Sequence, residues 1–207
     1  MADIVTPVYF SNVRCIYPNL TEAFVSTKYP NSPATFGIHL FDLKNDDPAL
    51  ADFMKKFADL AQAQWKQNVP QVMQKINGDV SSRCFGQGNE KVDQTTFQVN
   101  PAFANTGIWI NAKAKQRPQM IRPDATPAAN EIEAVDLARK IYSGCRVNAV
   151  VRPWLRINNP GVSCDLIAIQ FAGDDTPIEG KSNKDFSSFF QAQAPAAPAF
   201  PSFLMPQ

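Results

Sequence analysis

Taken at every second residue, the stretch "RVNAVVRPWLRIN" (146–158) divides into two sets. Val147, Ala149, Val151, Pro153, Leu155 and Ile157 make an apolar set; Arg146, Asn148, Val150, Arg152, Trp154 and Arg156 make one rich in arginine. Successive side chains of a β-strand point to opposite faces. The stretch therefore predicts a strand with one core face and with a tryptophan among arginines on the other. Asn158, Asn159, Pro160 and Gly161 then form a turn signal, and "VSCDLIAIQF" (162–171) follows at once, so the two strands predict a hairpin.

The same alternation marks "GIWINAKAK" (107–115). Ile108, Ile110, Ala112 and Ala114 share one face, and Trp109, Asn111, Lys113 and Lys115 share the other. Nearer the start, "PVYFSNVRCIYPNL" (7–20) predicts a strand ending at Pro18, and "TFGIHLFDL" (35–43) a second one after the turn residues of "KYPNSP" (28–33).

Helical spacing appears between these strands. Asp46 and Asp47 precede Pro48, an acidic cap with proline at the first helical position. Leu50, Phe53, Met54, Phe57, Leu60, Ala61 and Trp65 then recur with helical period, the pattern of a core-facing stripe. A short helix is expected over 70–76, ended by Asn77-Gly78, and another after Asn130 as cap, with Gly144 as its stop. "RCFGQGNEK" (83–91) lacks the glycine register of a dinucleotide site and the Gly-Lys-Ser/Thr of a phosphate loop, and reads as a loop.

The order is strand, strand, helix, loop, strand, helix, strand, strand. Five main strands with inserted helices suit a small, partly open antiparallel barrel; the regular alternation of a doubly wound sheet is missing. After Phe171 the chain turns polar, and residues 191–207 are rich in alanine and proline with no charge beyond Asp185. Such a composition buries too little apolar surface to fold alone. We therefore expect one domain over residues 1–180 and a flexible tail over 181–207, whose phenylalanines (Phe186, Phe189, Phe190, Phe200, Phe203) are candidate docking anchors.

Net charge is +1 over 207 residues, so the whole chain demands no polyanion. The distribution changes that picture. Between Lys113 and Arg156 nine basic residues face four acidic ones, a plausible polyanion footprint. No apolar run approaches the roughly 18 residues needed to span a bilayer, and the N-terminus lacks the pattern of a secretory signal, so a cytosolic protein without a membrane partner is expected. The four cysteines (Cys15, Cys84, Cys145, Cys164) are scattered and read as small buried apolar residues, with neither metal nor other cofactor expected.

Enzyme chemistry finds little support. The single histidine, His39, lies mid-strand, no cysteine sits in a nucleophile motif, and Asp46/Asp47 reads as a helix cap while Asp174/Asp175 falls in the presumed flexible segment. Binding finds more. Trp109 with Lys113 and Lys115, and Trp154 with Arg152 and Arg156, each place an indole beside cations on a non-core face. Single-stranded nucleic acid needs both: a flat surface for each base and a charge for each phosphate. The competing reading is that a helix or loop covers one or both tryptophans while the basic heads reach solvent.

Two stretches carry a resemblance. "YSGC" (142–145), followed by the long strand, the turn at 159–161 and the strand 162–171, and "GIWINAKAKQRP" (107–118) upstream, resemble a family of bacteriophage single-stranded DNA-binding proteins with an OB-fold, once classed only as a domain of unknown function. "VRCIYPNL" (13–20) and "FGIHLFDL" (36–43) sit where that family's first two strands do, and the likeness spans about residues 5–190. The resemblance implies a protein that coats single-stranded DNA during replication or recombination in the cytoplasm of an infected bacterium. By position it implies DNA-facing roles for Asn111, Lys113, Lys115, Arg117, Arg152, Trp154 and Arg156, and lesser ones for Arg14, Tyr17 and Lys28.

The end of the chain departs from a common pattern. Many single-stranded DNA-binding proteins recruit replication proteins through an acidic tail with a terminal aromatic; here the last residues are "FPSFLMPQ". Recruitment of phage or host replication proteins would then use a hydrophobic peptide. Two other readings stay open at this point: a protein–protein adaptor or virion component using the same surface, and a cysteine-dependent hydrolase.

Overall fold

The computed structural model describes residues 6–25, 30–93 and 96–178. Five long strands build its barrel: β1 (Val8–Phe24), β2 (Thr35–Leu43), β4 (Ile108–Ala114), β6 (Arg146–Arg156) and β7 (Gly161–Gly173). Two short strands, β3 (Phe85–Gln87) and β5 (Gln119–Ile121), add to β4 and β7. The sheet order is β3-β4-β2-β1-β6-β7-β5, and a further parallel pairing of β4 with β7 joins its ends. That pairing closes the cylinder through Lys113 opposite Asp165. A five-stranded barrel with this strand order is the predicted OB-fold, its last joint closed by that one bridge.

The alternation of β6 holds along its length. Val147, Ala149, Val151 and Pro153 are buried, while Arg152 and Trp154 face outward. Pro153 has no amide to give to a ladder, so it belongs on an edge. β1 stops pairing with β6 at Val8–Val151, whereas β7 accompanies β6 on to Arg156–Gly161. Beyond Val151 no strand among the described residues pairs with the other edge of β6, which accommodates the proline and leaves Trp154 open.

Pro18 does not end β1. The strand runs on to Phe24 through register irregularities between Ile16 and Asn19 and between Asn19 and Phe24. Proline is tolerated in a strand at such a bulge.

Helix α1 (Pro48–Trp65) starts as predicted: the Asp47 carboxylate accepts the Ala49 amide at 2.8 Å. It buries Leu50, Phe53, Phe57 and Ala61, and Phe53 meets Phe10 and Phe85 ring to ring. A buried phenylalanine contributes roughly 1.5–3 kcal/mol of transfer free energy, so this stripe fastens the helix to the barrel. α2 (Val69–Gly78) follows, and α3 (Glu131–Arg139) is capped by Asn130, which accepts the Glu133 amide.

Gly144 is not the stop of α3, which ends at Arg139. It lies at φ +107° in the turn that leads into β6, where a β-carbon would strike the backbone of Thr176 and Pro177. The segment after β7 packs there. Tyr142 Oη donates to Asp174, Asp175 pairs with Arg146 at 2.8 Å, and the Ile178 amide donates to Ser143. Asp174 and Asp175 are therefore held against the barrel and not in a flexible segment. The predicted tail, 181–207, lies outside the described residues.

All four cysteines are buried and free, with the sulfurs of Cys15 and Cys145 3.5 Å apart. No helix among the described residues is long and apolar enough to cross a membrane.

Candidate nucleic-acid interface

The outer faces of β4, β7 and β6 form one shallow groove. Its lining includes Asn111, Lys113 and Lys115 from β4 and the residue after it, and Trp154 and Arg156 from β6. Five of the residues singled out in the sequence thus converge. Ser81 and Arg83, ahead of β3, also line the groove. Sequence reading missed both, since they sit in a non-periodic stretch; the only signal was an arginine beside a glycine-rich turn.

Trp154 is 41% exposed, on the part of the hairpin beyond Val151. Arg156 lies one alternation further on. Its guanidinium occupies the space that a β-carbon on the cross-strand partner Gly161 would fill, and donates to the Ser81 carbonyl at 3.3 Å. Glycine at 161 is what admits that side chain. The buried Nε atoms of Arg156 and Arg83 have no hydrogen-bond acceptor among the described residues.

Pairing divides the predicted cations. Among the described residues no ion pair reaches Lys113, Lys115 or Arg156, whereas Arg152 pairs with Asp165 at 2.9 Å. Arg117 is a structural residue. Only 13% exposed, it binds Glu131 at 2.8 Å, donates to the carbonyls of Leu20 and Thr21, and lies over the Phe36 ring. Arg14 lies over Phe41, donates to the Thr176 carbonyl at 2.9 Å and neighbours Asp175. An arginine with its donors committed inside the protein has little left for a phosphate.

Trp109 corrects the expectation most plainly. It is 1% exposed, and so cannot offer a stacking face with Trp154. The segment that links β3 to β4 folds back over its outward face, bringing Phe103 into the same buried cluster with Phe41 and Ile16. Its indole Nε1 donates to the Gln87 carbonyl at 2.9 Å. Tyr17 is 38% exposed, with its hydroxyl accepting from Asn100. Lys28 lies outside the described residues.

A closed OB barrel with an open groove, one exposed indole and cations outside any ion pair among the described residues has the features that a single-stranded polyanion requires. The chain belongs to the family described as "Enterobacter phage Enc34, ssDNA-binding protein", whose model matches residues 6–196. Among solved structures it is similar to the single-stranded DNA-binding protein from bacteriophage Enc34 in complex with ssDNA, at 21% identity and a TM-score of 0.60, over 86% of this chain and 97% of that one. Another structure of the Enc34 protein matches at 20% identity and a TM-score of 0.57, over 92% and 97%. A search of curated proteins finds no match.

Proposed function

We propose that this protein binds single-stranded DNA without sequence preference and coats it during phage replication or recombination, in the cytoplasm of the infected host. The observation that carries the reading is the groove, where exposed Trp154 stands beside Lys113, Lys115 and Arg156, none of which closes an ion pair among the described residues. Membership of a family described as ssDNA-binding supports it. Lysine and arginine heads hold the backbone while Trp154 stacks a base, a contact worth about 1–3 kcal/mol. None of these contacts reads a base edge, so sequence is immaterial. Residues 1–180 act as the binding domain, and the phenylalanine-bearing tail docks replication proteins.

Fluorescence titration with oligo(dT) at rising salt tests this. Each phosphate neutralised on a single strand contributes about −0.7 to the slope of log K against log salt. Three free cations predict a slope of about −2. A salt-insensitive interaction, or tighter binding to duplex, overturns the reading.

A further inference from the structure

The outward residues of β2 and β4 continue past the groove into a second cluster. Lys113 lies opposite Gly37, and two residues along β4, Asn111 lies opposite His39. Over His39 sits Lys91, from the segment that follows β3. Its Nζ is 3.3 Å from the His39 Nε2 and 3.7 Å from the centre of the buried Trp109 ring, with the Phe103 ring at 5.8 Å. Tyr17 approaches His39 edge-on at 6.1 Å and supplies an exposed flank.

This arrangement holds positive charge against itself. Burial, then the nearby Lys113, brings the Lys91 amine down to about 8. Burial, then Lys91 and Lys113, holds His39 well below the usual imidazole range, so it is neutral near pH 7. No acidic residue among the described ones forms an ion pair with Lys91 or Lys113. The indole face attracts the ammonium, but a cation–π contact is worth only about 0.5–2 kcal/mol. Removing an amine from water beside a second cation works against folding unless an anion joins it. A phosphate brought to the amine would offset that cost.

We infer that Lys91, Lys113 and His39 form a second phosphate subsite, so that a single strand lying in the Trp154 groove crosses Lys113 and sets a further backbone phosphate against Lys91. The inference rests on the single-stranded DNA reading and extends it along the barrel. Lys113 is the shared member, lining the groove on one side and facing Lys91 on the other. Trp109 then serves as the plate beneath a phosphate-binding amine and makes no contact with a base.

Amine footprinting of the unmodified full chain tests the subsite. An amine-reactive acetyl ester labels Lys91 in the free protein; saturating (dT)20 is expected to reduce that labelling several-fold and to leave Lys75 on α2 unchanged. Inorganic phosphate at matched ionic strength is expected to protect Lys91 little. Equal labelling with and without (dT)20, or equal protection by inorganic phosphate, overturns the subsite. In parallel, Lys91→Met is expected to weaken (dT)20 binding about tenfold and to lower the salt slope by about 0.7, with Lys91→Arg retaining most of both. If Lys91→Met does not fold, the footprint alone decides. Wild-type protein that binds no (dT)20 refutes the function itself. Binding that depends on Trp154 but ignores Lys91 refutes only the subsite.

Discussion

Arg152 and Asp165 face each other across β6 and β7 and close an ion pair at 2.9 Å, each side chain 38% exposed. Asp165 is the one carboxylate lining the groove among the described residues. It therefore does two things: it occupies Arg152, and it repels an incoming phosphate. Asp165→Asn is expected to tighten oligo(dT) binding several-fold and to steepen its salt dependence, as measured by titration at two salt concentrations. Because the pair is well solvated, the change in stability should stay within about 1 kcal/mol.

The two tryptophans separate by what their loss does. Trp154→Ala should weaken oligo(dT) binding by about 1–3 kcal/mol with little change in melting temperature. Trp109→Ala empties a fully buried site and should cost about 3–5 kcal/mol of stability. Denaturant unfolding of both variants, read beside their affinities, gives the comparison. A Trp154→Ala protein that binds normally would remove the stacking role.

Arg117 provides the contrast among the cations. Its removal leaves the Leu20 and Thr21 carbonyls without their donor, so Arg117→Met should destabilise the fold by about 1–3 kcal/mol. The salt slope of DNA binding should not change, since the charge is already spent on Glu131. Lys113→Met should do the reverse, lowering the slope by about 0.7 and leaving stability nearly unaltered.

Acid should loosen the join between α3 and the β5 region. The Arg122 guanidinium, and next the Ala129 amide, hold the Glu133 carboxyl down to about 2 from an ordinary 4.5. A carboxylate depressed in the folded state stabilises that state above its unfolded pKa and loses the contribution as pH falls toward the folded value. Melting temperatures of the wild type should therefore drop between about pH 4.5 and pH 2 more steeply than those of Glu133→Gln.

The barrel strands were legible because burial follows alternation. β6 and most of β7 show a period of two in burial, and α1 shows helical period behind a capping Asp47 and Pro48. Parity assigns a side chain to a face, however, and does not say what covers that face. Trp109 and Trp154 both alternate away from the core residues of their strands. One is buried in a cluster with Phe103, under Lys91 from a long aperiodic excursion, and the other lies on an edge that no described strand covers. Pairing was equally invisible: Arg14 meets Asp175 and Arg117 meets Glu131 only once the chain has folded. Lys91, in a stretch without any period, gave no sign of its place over the indole.

The junction of β4 and β7 has a mechanical meaning. The cylinder is closed there by Lys113 opposite Asp165, where its other joints are long ladders. The proposed DNA track lies across that same joint, with Lys113 on one side and Trp154 and Arg156 on the other. A bound strand would act as a stitch over the weakest seam of the wall, lending the closed cylinder a rigidity that its own hydrogen bonds supply only sparingly.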